Sequence, residues 1–227
     1  MVKEELIQRS PVRVFMNSIH GGLKTGELGV VASPSGIGKT SVLVQIALDK
    51  LLQDKKVIHI SFTRHTDHVL AWYEDIFNEF IKKKNLENEQ EVKNDIVKNR
   101  VLMKFTQDGI SSEQILRSLK ALIKDGGFDA EIIIIDGFDF SRADESQISE
   151  VKAFASEMGF SVWYSCNVKE KEPFHDKKNI AGFFDVIIVL EPKQDHISLT
   201  VFRDREAGKD EHMALKLDPK TLLILEK

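Results

Sequence analysis

The sequence predicts an α/β fold: a mostly parallel, twisted sheet flanked by helices and followed by C-terminal antiparallel strands. Three observations predict it. Short apolar runs of buried-strand type recur along the chain. Up to Asp185 they alternate with stretches that carry a helical stripe. Beyond Asp185, strand-like runs follow one another with no helical pattern between them. The alternation places helices over a parallel sheet, with ligands at the C-terminal strand ends. The 227 residues suffice for a single domain over 1–227 with a substantial core.

Residues 1–27 are mixed and end in a glycine-rich turn, Gly21-Gly22-Leu23-Lys24-Thr25-Gly26-Glu27. Leu28 to Ala32 is the first apolar run. A helix is expected from Lys39 to Gln53, with Leu43, Ala47, Val42 and Ile46 on one face. Val57 to Phe62 is the second strand. Val69, Trp72, Tyr73, Ile76, Phe77 and Phe80 stripe a helix over His65 to Lys83. The charged stretch from Lys82 to Lys98 reads as a solvated helix or lobe. Arg100 to Phe105 is a strand; Ser111 or Ser112 then caps a helix that runs to Lys124 and stops at Gly126-Gly127. Glu131 to Asp136 is the clearest buried strand. A helix over Glu145 to Met158 leads into the strand Ser161 to Ser165. Asp185–Leu190, Ile197–Phe202, His212–Leu217 and Leu222–Leu225 complete the strands.

Composition excludes some classes of function. Hydrophobic residues make up 42% and charged residues 30%, the balance of a soluble globular chain. The formal net charge of -4 gives no global positive field for nucleic acid or anionic lipid. No stretch approaches the ~18 apolar residues of a membrane span. The single cysteine, Cys166, rules out an intrachain disulfide and fits a reducing compartment. A cytoplasmic location is expected. The histidines and Cys166 form no recognisable metal set, although His65 and His68 lie three apart on a helix.

The chemistry concentrates in Ser33-Pro34-Ser35-Gly36-Ile37-Gly38-Lys39-Thr40, with Ser41 following. This segment leaves a strand and opens a helix, the context of a phosphate-cradling loop. Gly36 and Gly38 permit positive φ and close backbone approach to phosphate oxygens. Successive N–H groups and the helix N-terminus supply positive potential. Lys39 is placed to reach β- and γ-phosphates, and Thr40 to hold Mg²⁺ through its hydroxyl. Position 33 is Ser where the usual pattern begins with Gly. Asp136, at the tip of a buried strand, is the second metal residue; alternatively it only initiates a turn before Gly137.

Gly21-Gly22-Leu23 and Gly26-Glu27-Leu28, followed by this loop, resemble the RecA-like P-loop ATPase core of DnaB-type helicases and KaiC/RadA-type ATPases. The resemblance covers about residues 10–217. It implies ATP and Mg²⁺ as cofactors, and a homo-oligomeric ring or filament. It also implies a water-polarising glutamate at the end of the second strand, where this chain has Thr63 and then Arg64. A threonine cannot serve as a carboxylate base, so Asp67, Glu74 or Asp139 takes that role or hydrolysis is damaged. The family's polar sensor falls at Cys166 or Asn167. Its basic finger, which reaches a neighbour's γ-phosphate, falls at Arg203 and Arg205; their i, i+2 spacing puts both on one strand face. The bland alternative is a solvent-facing arginine pair bonded to nearby acids. Magnesium-dependent ATP binding with weak or absent hydrolysis is the leading expectation, in a regulatory or assembly role. An active ring-forming motor or switch, related to helicases or recombinases, is the alternative. The loops from Gly137 to Asp144 and Val168 to Lys178 are candidates for gripping single strands. The second is nearly balanced in charge, which disfavours phosphate tracking. Phe174 and Trp163 either stack on bases or pack internally.

Overall fold

The structure, a computed structural model, describes residues 7, 10–62, 66–84, 88–106, 112–141, 143–168, 178–205 and 207–226. The sheet is mixed, nine-stranded and mostly parallel, with helices on both faces. In chain order the strands are β1 (Leu28–Ser33), β2 (Lys56–Ser61), β3 (Arg100–Lys104), β4 (Ala130–Asp136), β5 (Ser161–Asn167), β6 (Val186–Pro192), β7 (Ile197–Asp204), β8 (Ala207–Leu217) and β9 (Ile224–Glu226). The helices are α1 (Pro11–Ser18), α2 (Lys39–Leu52), α3 (Thr66–Lys84), α4 (Glu89–Lys98), α5 (Ser112–Lys120), α6 (Glu145–Met158) and α7 (Lys178–Ala181). Helix α5 runs on into one wider turn, Ala121–Asp125.

The spatial order is β3-β2-β4-β5-β1-β6-β7-β8-β9. The first six strands are parallel, and β7 to β9 continue the sheet antiparallel. Strand β1 is therefore central, between β5 and β6. From its tip the chain passes to β2, beyond β5 and β4. It later returns past β1 from β5 to β6. Such a switch in strand order opens a crevice at the C-terminal strand ends.

Two apolar layers cover the sheet. One joins Val31, Val57, Ile134, Trp163 and Ile188 to α1, α2 and α3. The other joins Val30, Ile58, Ile133, Val162 and Tyr164 to α5 and α6. Period-two alternation then assigns the polar strand residues. Ser33, His59, Ser61, Asp136, Ser165 and Asn167 fall on the α2 side.

The element order expected from sequence holds, but α1 and the short α7 were not expected, β9 starts at Ile224 rather than Leu222, and two further elements differ. Residues 11–18, unassigned from sequence, form α1: Ser10 Oγ accepts from Val12 N at 3.3 Å, and Pro11 starts the helix. Strand β8 starts at Ala207, earlier than His212. Helix α2 is buried nearly all round, not on one face alone, because α1 and the C-terminal segment cover the side away from the sheet. The Ser111 or Ser112 cap lies outside the described side chains. Among the described residues no helix is long and apolar enough to cross a membrane.

The glycines at the entry to β1 have a mechanical explanation. Gly21 and Gly22 take φ values of 91° and 95° after α1. At Gly29, a Cβ would lie 2.7 Å from Trp163 Cε3 and 2.9 Å from Leu23 Cδ1. Trp163 is fully buried against Phe15 and cannot withdraw. Gly29→Ala is therefore expected to destabilise the fold by about 1–3 kcal/mol, the range for overpacking. Urea unfolding should show a lower midpoint; an unchanged midpoint would mean that the ring moves freely.

Candidate functional site

The loop between β1 and α2 stands at the sheet's switch point. Pro34, Ser35 and Gly36 are exposed at its apex, while Ser33 and Lys39 are buried at its base. Ile37 is half-buried and packs against the α2-side layer. Gly36 has φ 82° and Gly38 has φ 108°, conformations that glycine tolerates at little cost. Gly38 has a second constraint: a Cβ there would lie 2.7 Å from Leu217 Cδ2. The loop's last residue is thus pressed against the end of β8.

Lys39 folds back under the loop. Its ammonium donates to Pro34 O at 2.8 Å, Ser33 O at 3.0 Å and Ser33 Oγ at 3.2 Å. Burial pushes its pKa down, against the attraction of the Asp136 carboxylate. Thr40 Oγ1 donates to Asp136 Oδ2 at 2.8 Å. The loop hydroxyl and the strand-tip carboxylate are therefore neighbours, although they stand 96 residues apart. Both are hard oxygen donors on one side of the sheet, the donor type that Mg²⁺ takes alongside phosphate oxygens and water. No group of three or more His, Cys, Asp or Glu residues suited to a metal occurs among the described residues.

Sequence reasoning missed several polar residues around this pair. Ser61, at the tip of β2, stands in register with Asp136. Ser165 Oγ accepts from Gly137 N at 2.7 Å, fixing the turn after Asp136. The signal was available as period-two spacing from the apolar residues of each strand. The two positions where the resemblance expects a sensor separate by the same rule. Cys166 is buried in the opposite layer, and Asn167 is exposed in register with Ser33 beside the loop.

Ser41 is fully buried, and its hydroxyl donates to Leu222 O at 2.6 Å. Gln45, one turn on, donates to the same carbonyl at 2.9 Å and accepts from Ile224 N at 2.8 Å. Leu222 adopts φ 54°, strained for a residue with a side chain. The polar stripe Ser41–Gln45–Asp49 along α2 thus faces the C-terminal segment and α1, where Arg13 pairs with Asp49 at 3.2 Å.

The two arginines lie at the other end of the sheet, because β7 runs antiparallel to β6 and finishes beside Val186. The expectation of a shared strand face is corrected: β7 stops at Asp204, and Arg205 has φ 56° in the turn that follows. The two side chains diverge. Arg203 donates to Ala181 O at 2.6 Å. Arg205 makes a fork to Glu27 at 3.0 and 2.9 Å and also reaches Gly22 O and Asp204. The glycine-glutamate turn is thereby tied to the β7–β8 hairpin within one chain.

Glu74 lies on the exposed face of α3, 3.8 Å from Lys93. Asp139 accepts from Ser141 N at 2.9 Å in the turn after β4. Trp163 packs in the core. His68 is exposed on α3. Thr63, Arg64, His65, the Asp67 side chain, Arg142, residues 169–177 with Phe174, and Glu206 lie outside the described residues.

His59 is fully buried one strand from Asp136, with Nδ1 and the Tyr73 hydroxyl hydrogen-bonded at 3.1 Å. Its Nε2 has no hydrogen-bond partner among the described residues. Burial lowers its pKa to about 4, reinforced by Arg100 and opposed by Asp136.

No protein-family model matches the chain, and no curated protein matches it.

Two outcomes follow from these contacts. Gln45→Leu removes the donor to Leu222 O and leaves Ile224 N–H without its acceptor. It should cost about 2–3 kcal/mol in chemical denaturation, since a buried orphaned group costs ~1–3 kcal/mol. For His59, the unfolded chain takes up the proton near pH 6.5 and the folded chain only near pH 4. Its contribution is fully present above pH 6.5 and is lost as pH falls toward 4, by about 3 kcal/mol at the limit. Unfolding curves at pH 7 and pH 4 should show a smaller acid loss in His59→Gln than in the wild type; equal losses would refute this.

Proposed function

We propose that this chain is a RecA-like P-loop protein that binds a nucleoside triphosphate, ATP, with Mg²⁺ at the loop over residues 33–41. The observation that carries the reading is the convergence of Lys39, Thr40 and Asp136 beneath a glycine loop at the switch point of a parallel sheet. Backbone N–H groups of the loop and the first turn of α2 would cradle the phosphate chain. Lys39 would neutralise the β- and γ-phosphates from below. Thr40 and Asp136 would hold the cation, which lowers charge repulsion on the triphosphate when bound. Placement of β5 between β1 and β4 supports the RecA-like reading, because it brings Asn167 beside the loop as the sensor residue.

We assign the chain a binding role with weak or absent hydrolysis, in regulation or assembly. Position 63 carries threonine, and the described alternatives are engaged elsewhere: Glu74 near Lys93, and Asp139 in its own turn. A homo-oligomer fits the location of Arg203 and Arg205, at the sheet end away from their own loop. A finger role in trans requires Arg205 to leave Glu27, so such an assembly would loosen the β1 entry turn.

Calorimetry with Mg·ATP should detect binding in the wild type. Lys39→Ala should weaken it by at least about a hundredfold, the loss of a charge-assisted contact of ~3 kcal/mol. Asp136→Asn should abolish its magnesium dependence. No binding to the folded wild type would refute the proposal. Turnover at ~1–100 s⁻¹ that Lys39→Ala removes would instead assign an active ATPase.

A further inference from the structure

An ammonium has three N–H donors, and those of Lys39 all find acceptors inside the loop. Two of these acceptors are the main-chain carbonyls of Ser33 and Pro34. They cannot turn away without refolding the loop, and Ser33 O also accepts from Val168 N at 3.1 Å. The third acceptor differs in kind. Ser33 Oγ lies 3.2 Å from the ammonium and itself donates to Pro34 O at 2.9 Å. A hydroxyl rotates about one bond and can release the ammonium with the backbone unmoved. Ser33 is fully buried and Lys39 is 9% exposed, so water competes little for either group. Position 33 is where the phosphate-loop pattern has glycine, which could supply no such acceptor.

We infer that the Ser33 hydroxyl is a latch on Lys39: it occupies the one ammonium donor that a phosphate oxygen needs, and thereby sets the affinity of the loop for a nucleotide's phosphate chain. The ligand class rests on the function proposed above. An anionic phosphate oxygen is the stronger acceptor and displaces the neutral hydroxyl. Part of the binding free energy offsets the contact that is lost. Ser33 is a positioning residue, acting through Lys39.

The test has two arms on the full-length chain. In the first, trace acylation by an anhydride across pH 7–11, read at Lys39 by mass spectrometry, reports the freedom and pKa of the amine without nucleotide. Ser33→Ala should raise the reactivity of Lys39 about fivefold, as for one net hydrogen bond of ~1 kcal/mol. Ser33→Thr, which keeps the hydroxyl, should restore the wild-type profile. In the second arm, calorimetry with Mg·ATP should find binding about fivefold tighter in Ser33→Ala, and the gain should vanish in the Lys39→Ala background. Ser33→Gly replaces Ser33→Ala if circular dichroism shows the latter misfolded. Unchanged Lys39 reactivity in Ser33→Ala overturns the latch, even where the wild type binds nucleotide. A reactive Lys39 in Ser33→Ala, with no nucleotide bound by any variant, overturns the phosphate ligand and the proposed function but retains the hydroxyl–ammonium contact.

Discussion

The tip of β1 depends on one close approach: Gly38 lies so near Leu217 that a side chain on it would stand 2.7 Å from Cδ2. The contact joins the end of β8 to the start of α2. Around it, the Leu222 carbonyl takes two side-chain donors from α2, and Gln45 returns the bond by accepting from Ile224 N. The loop therefore sits between the sheet and a C-terminal clip. Its apex is exposed, while its base is fixed on both sides. For the binding proposed above, a loop held this way would need little further ordering.

The opposite end of the sheet is braced by charge. Arg205 forks onto Glu27, Lys152 pairs with Asp185 at 2.9 Å, and Asp185 Oδ2 accepts from Leu28 N at 2.9 Å. These contacts fix the entry to β1 as the C-terminal clip fixes its exit. Arg205 and Glu27 are half-buried, with 23% and 17% of their side chains exposed, so solvent screens this pair somewhat less than a fully exposed one. The glycine-glutamate run that supports the family resemblance thus has a structural reason to exist apart from nucleotide chemistry. Strand β8 connects the two ends, beginning beside Arg205 and finishing against Gly38.

Polar residues on the α2 side follow the same economy. His59, Ser61, Asp136, Ser165 and Asn167 reach one side through strand alternation on three neighbouring strands, and Asp136 and Asn167 adjoin the loop itself. Tyr73 bonds His59, and Arg100 stacks over the Tyr73 ring at 4.2 Å, which ties α3 to β2 and β3. That tie lies just before the segment where the resemblance expects a water-polarising residue.

The sequence determined the order and type of most elements, because apolar periodicity is a local property. The loop and its glycines were legible for the same reason: their conformation is written within nine residues, Ser33 to Ser41. Asp136 was legible only as the tip of a long apolar run. Helix α1 escaped because its short stripe, Val12, Phe15 and Met16, spans only eight residues of a mixed segment. Partners were decided by tertiary structure alone. Arg205 meets Glu27 across 178 positions, and Ser41 meets Leu222 across 181. Whether Arg205 shared a face with Arg203 turned on one positive φ after β7, which spacing does not encode. Hydrogen-bond partners so far apart depend on how strands are ordered in space, and no local pattern carries that order.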